Sequence, residues 1–116
     1  FFFKQKTAYE IQVSLEFRRV LFRSPEGKVK AKVVRVLKEL GIYHFTPQTG
    51  GYGRSGVPDL ICCYDGKFIG IECKAGKNKP TALQEAEMQR IRSAGGLTYV
   101  INEENADQLK KELLQL

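Results

Sequence analysis

Gly56-Val-Pro-Asp59-Leu-Ile-Cys-Cys-Tyr64-Asp65-Gly66-Lys67-Phe-Ile-Gly-Ile-Glu72-Cys73-Lys74 is the stretch whose reading decides the fold. Two apolar runs flank Asp65-Gly66. Asp-Gly is a strong two-residue hairpin signal, because both central residues of the mirror-image turn need positive φ. With those two residues as the loop, Tyr64 faces Lys67. Continuing the ladder puts Asp59 opposite Glu72, with Cβ atoms ~5 Å apart on one face. Lys74, two residues on, shares that face. A three-residue loop would instead shift the pairing by one and send the acids to opposite faces. Two facing carboxylates repel unless something positive binds between them. A hard divalent cation with oxygen ligands answers that need; the alternative is a solvated strand pair with charged ends.

Outward from the hairpin, the chain alternates helix and strand signals. Ser24-Pro25-Glu26 opens a first helix, with Pro at the first helical position, and Gly41 closes it. Val29, Val33, Leu37 and Leu40 form its apolar stripe, and Glu26 lies on the same face at the N-terminus. Ile42–Thr46 reads as a short strand, followed by a Gly-rich loop from Pro47 to Gly56. After the hairpin, Ala75–Pro80 is a basic loop. A second helix runs from Thr81 to Ala94 and stops at Gly95-Gly96. Leu97–Ile101 is a strand, and Ala106–Leu114 is an amphipathic last helix that starts as early as Asn102 on a wider reading. The order α-β-β-β-α-β-α predicts an α/β domain with a mixed sheet flanked by helices, because the third strand, second helix and fourth strand form a parallel crossover.

Gly56-Val57-Pro58-Asp59 with Glu72-Cys73-Lys74 resembles the core motif of the PD-(D/E)XK nucleases. With Gly76 and Thr81-Ala82-Leu83-Gln84 added, the chain is similar to the virus-type replication-repair branch, the VRR-NUC domain, from about Pro25 to Val100. The resemblance implies a restriction-endonuclease-like core and hydrolysis of DNA phosphodiesters with Mg²⁺, for which Mn²⁺ can substitute. It implies a catalytic set of Glu26, Asp59, Glu72, Lys74 and Gln84. Asp59, Glu72, Glu26 and the backbone carbonyl of Cys73 would be the metal ligands. Small phage members of the family resemble junction-resolving enzymes. Branched or junction DNA and a homodimer are therefore the expected partners, in phage or prophage replication, recombination or repair. Two alternatives stand beside this reading: a non-catalytic DNA-binding module on the same fold, and a restriction-like general nickase.

Several of these residues have simpler roles open to them. Glu26 near a helix N-terminus would offset the dipole. Gln84 fits a capping box with Thr81 as well as site support. Lys74 next to two acids suits orientation of water and compensation of phosphate charge. Arg54, Lys77 and Lys79 flank the acids in loops and suit phosphate contact; Tyr52, between glycines, suits stacking on a base. His44, the only histidine, reads as a structural strand residue. The Gly-rich loop lacks the Gly-Lys-Ser/Thr of a nucleotide-phosphate loop, which excludes that class.

Residues 1–24 resemble a translated sequencing-adapter string, which makes residues 25–116 the nuclease-like domain. The competing reading is a native basic, aromatic arm that touches nucleic acid. The arm carries five Lys/Arg and two Asp/Glu, half of the net charge of +6, so the remainder is only mildly basic. That balance suits a nucleic-acid partner without demanding one. Cys62, Cys63 and Cys73 show neither zinc spacing nor a disulfide framework. They read as reduced, small apolar residues of a cytoplasmic protein. No apolar run is long enough to cross a membrane.

Overall fold

The computed structural model describes residues 24–48 and 55–116. Helix α1 (Pro25–Glu39) is followed by β1 (Tyr43–Phe45), β2 (Leu60–Tyr64), β3 (Lys67–Cys73), α2 (Ala82–Ser93), β4 (Leu97–Ile101) and α3 (Ala106–Leu114). Asp65 and Gly66 both take positive φ, 51° and 76°. The turn is the two-residue form, so Tyr64 pairs with Lys67 and Leu60 with Ile71. The expected register holds to the last pair before Asp59.

The strands lie in the order β1-β2-β3-β4. The first two pairings are antiparallel, and β3 pairs with β4 in parallel, Ile69 with Leu97 through Cys73 with Ile101. Period-2 alternation sends Ile69, Ile71 and Cys73 to one face and Phe68, Gly70 and Glu72 to the other. The first face meets α1 and α3, whose Val29, Val33, Leu37, Leu109 and Leu113 complete the main core with Leu60 and Cys62. On the second face lies α2, where Met88 is buried and Ile91 sits over Gly70 beside Pro58. Helices thus cover both faces, which is why β3 is buried without a break from Ile69 to Cys73. This is the restriction-endonuclease-like core that the motif implies. Among the described residues no helix is long and apolar enough to cross a membrane.

Helix ends follow local chemistry. Thr81 and Gln84 form a complete capping box on α2. Asn102 Oδ1 accepts from the backbone N–H groups of Glu104 and Asn105, so a capped turn precedes α3 rather than a longer helix. His44 is structural: its Nδ1 lies 2.9 Å from the Ile42 carbonyl, to which it donates in the tautomer that contact assigns. Cys62 and Cys73 are buried as expected, but Cys63 is exposed, because β2 turns it to the sheet face away from the main core.

Residues 1–23 of the arm lie outside the described residues. Ser24, the last residue assigned to it by sequence, belongs to the domain. It is the N-cap of α1, and its Oγ accepts from Gly27 N–H at 2.9 Å. Replacing Ser24 with Ala should therefore cost about 1 kcal/mol of stability, measurable by denaturant unfolding, with the fold retained by circular dichroism.

Candidate active site

Asp59 ends the segment that enters β2, one residue before the ladder begins. Its Oδ2 accepts from Cys73 N–H at 2.8 Å. That bond fastens the Pro58-Asp59 corner across the end of β3 and brings the Asp59 carboxylate within hydrogen-bonding reach of Glu72. Glu72 is 1% exposed, a buried acid on the α2 face. Its two oxygens are treated differently. Oε1 accepts from Gln84 Nε2 at 3.1 Å and lies 3.9 Å from Lys74 Nζ. Oε2 is buried with no hydrogen-bond partner.

Burial, then the charge and close approach of the Asp59 carboxylate, with a further contribution from Glu26, push the Glu72 carboxyl up to about 8, against the opposing pull of Lys74. Burial likewise pushes the Cys62 thiol up to about 12 and raises that of Cys73. These thiols are therefore poor nucleophiles.

Gln84 resolves the choice left open by its sequence position, because it does both jobs. Its Oε1 accepts from the Thr81 backbone N–H at 2.8 Å, while its Nε2 reaches Glu72. The cap fixes the amide orientation and aims the donor at the buried acid. Gly56 makes this approach possible. With φ at 80°, it runs against the first turn of α2, where a Cβ would lie 2.6 Å from the Leu83 carbonyl oxygen. A side chain there would be strained and would push Gln84 away from Glu72.

Only two of the three expected carboxylates converge. Among the described residues, no group of three His, Cys, Asp or Glu side chains is placed to hold a metal ion. Glu26 stands apart and exposed, near enough to repel Glu72. Its angle around the helix suits the inward stripe. However, Ser24, Pro25 and Glu26 are all exposed, and within this turn burial begins only at Gly27. The pair that does converge still fits a divalent cation: a buried carboxylate oxygen without a donor, next to a second carboxylate, is a hard-oxygen donor set.

Asp59 and Gln84 also line a polar concavity of about 450 Å³ with Thr46, Ser55, Gly56 and Lys30. Lys30 was not singled out in the sequence, although it stands one turn after Glu26. Lys77 and Lys79 are exposed on the basic loop and line a separate concavity with Asn102 and Glu104. Glu103 is a second residue that no sequence signal marks. Both its oxygens accept from Gly76 N–H, at 3.0 and 2.9 Å, and so pin this loop to the end of β4. The Glu103 backbone N–H first, and that of Gly76 second, hold the Glu103 carboxyl below its usual range. Arg54 and Tyr52 lie outside the described residues.

A restriction-endonuclease-like α/β core with an acid pair and a lysine at the end of its central hairpin defines the class of protein. The chain is 32% identical over 83 residues to "Putative nuclease p44" of Acyrthosiphon pisum secondary endosymbiont phage 1, a match spanning 69% of this chain and 85% of that protein. The chain belongs to the family of that phage protein. No family model matches it.

The raised Glu72 carboxyl has a stability consequence with a definite sign. The folded state holds this proton more tightly than the unfolded chain. The resulting stabilisation is complete below the ordinary carboxyl value of 4.5 and is lost as pH rises toward about 8. With divalent cations removed, unfolding free energy should fall across that window. Glu72→Gln should flatten the fall, as read from denaturant melts at a series of pH values.

Proposed function

We propose that this protein is a Mg²⁺-dependent endonuclease that hydrolyses DNA phosphodiester bonds, with Mn²⁺ able to substitute. The observation that carries the reading is the asymmetry at Glu72. Gln84 and Lys74 hold one oxygen, and the other is buried without a partner beside the Asp59 carboxylate. An acid pair kept this close is destabilising by itself, which a bound cation would relieve. Membership in the family of a phage protein named as a nuclease supports the same reading.

On this reading Asp59 and Glu72 would hold the cation, with the Cys73 backbone carbonyl as a further ligand, while Glu26 stands apart from the pair. When bound, the cation supplies Lewis-acid polarisation of the scissile phosphate and acidifies a water. Gln84 keeps Glu72 in the orientation that presents Oε2. Lys74, 8% exposed at the end of β3, orients the attacking water and offsets charge developing on the phosphate. Lys77 and Lys79 lie along the approach of the nucleic-acid backbone, with Arg54 and Tyr52 of the Gly-rich loop as further contacts. The buried thiols are not used, so water attacks directly.

Asp59→Asn, Glu72→Gln and Lys74→Ala should each lower Mg²⁺-supported cleavage by at least about 100-fold. Glu72→Gln should melt at or above the native temperature above about pH 8, where both acids would otherwise be charged. Native cleavage should vanish in EDTA. DNA binding without any cleavage in Mg²⁺ would replace this reading with the non-catalytic module.

One centre cuts one strand per event, and paired cuts across a branch need two centres related by a two-fold axis. The substrate class proposed is therefore branched DNA, cut by a homodimer. Light scattering should give twice the chain mass, and a four-way junction should be cut faster than linear duplex of the same sequence. A stable monomer cutting both at one rate would favour a general nickase.

A further inference from the structure

We propose that Lys30 holds a backbone phosphate of the bound nucleic acid in the concavity beside Asp59. The inference rests on the nuclease reading and adds a phosphate subsite to it.

The geometry comes from two helices meeting at one end of the sheet. Lys30, in the second turn of α1, and Gln84, in the first turn of α2, line the same concavity as Asp59. Its remaining wall carries the hydroxyls of Thr46 and Ser55. A lysine with hydroxyl neighbours in a polar recess matches the charge and acceptor pattern of a phosphodiester. Lys30 is half-buried, whereas Lys28 and Lys32 on the same helix are exposed.

Two lysines from different elements thus stand near the acids: Lys74, 3.9 Å from Glu72, and Lys30, lining the concavity with Asp59. A strand crossing the site carries phosphates on both sides of the bond under attack. Lys74 serves the attacked phosphate and Lys30 a neighbouring one. The competing role for Lys30 is an ion pair with Glu26 four residues earlier, a helix-surface contact worth only about 0.3–0.5 kcal/mol. That role needs no concavity and predicts no effect on DNA.

The test uses the full chain, a fluorescent four-way junction and a linear duplex of the same sequence. Affinity is measured over a range of salt with Ca²⁺ in place of Mg²⁺. A single phosphate contact changes the slope of log K against log salt by about 0.9, equivalent to roughly eightfold in affinity at tenth-molar salt. Lys30→Gln should show that loss and that shallower slope on both DNAs. Lys30→Arg should restore the slope. Lys28→Gln, the same charge change on the exposed side of α1, should do much less. The proposal is overturned if Lys30→Gln keeps native affinity and slope, or if Lys28→Gln loses as much. Thermal melts identify a folding defect, and the charge-retaining Arg variant then decides between lost charge and lost structure. Native protein that binds but does not cut in Mg²⁺ would end the nuclease reading, while the affinity comparison still decides the role of Lys30. Native protein that neither binds nor cuts would overturn both.

Discussion

The bond from the Cys73 backbone N–H to the Asp59 carboxylate is the constraint on which the site depends. It closes the open end of the β2–β3 hairpin, just past the last ladder pair, Leu60 with Ile71. The turn at Asp65-Gly66 sets the register; this bond carries that register one step further and fixes the acid. A slip of one residue would send Glu72 into the α1–α3 core and leave Asp59 facing solvent. Register, core and acid pair therefore stand or fall together.

Holding Asp59 and Glu72 side by side in a covered position opposes stability, and the surrounding elements show how the fold sustains it. β3 is locked between an antiparallel and a parallel neighbour, so its end does not fray. From the far side, α2 brings Gln84, whose amide is already committed to the Thr81 cap and so has a single direction left for its N–H donors. Gly56 gives the entering loop room to lie against that helix turn. Burial first, and the Asp59 charge second, favour a proton on Glu72, which is the physical origin of its raised carboxyl. On the proposed reading, a bound cation would take the place of that proton.

Positive charge is distributed around the acids rather than concentrated. Lys74 comes from the same strand as Glu72, Lys30 from α1, and Lys77 and Lys79 from a loop tied down by Glu103. The described domain contributes only part of the chain's net +6, so placement matters more than total charge. On the proposed reading, these separate elements would each offer a cation to an anionic polymer.

Local sequence by itself determined the turn, the strand register, the capped helix starts and the identity of the acid pair. Each follows from short-range rules: positive φ at Asp65-Gly66, alternation along a strand, Ser24 and Thr81 as caps. Tertiary structure decided what depends on how elements meet. Glu26 has the right angle on its helix, but its side chain is exposed and burial in that turn begins at Gly27, so the described acids that converge are Asp59 and Glu72. Gln84 could be read as cap or site residue, and only the approach of α2 to β3 made it both. Lys30 and Glu103 had no mark in the sequence, because the residues that give them meaning, Asp59 and Gly76, lie 29 and 27 positions away along the chain. Spacing rules report neighbours within a turn or across a hairpin. Contacts between separate helices and strand ends are set by core packing, which no short pattern encodes.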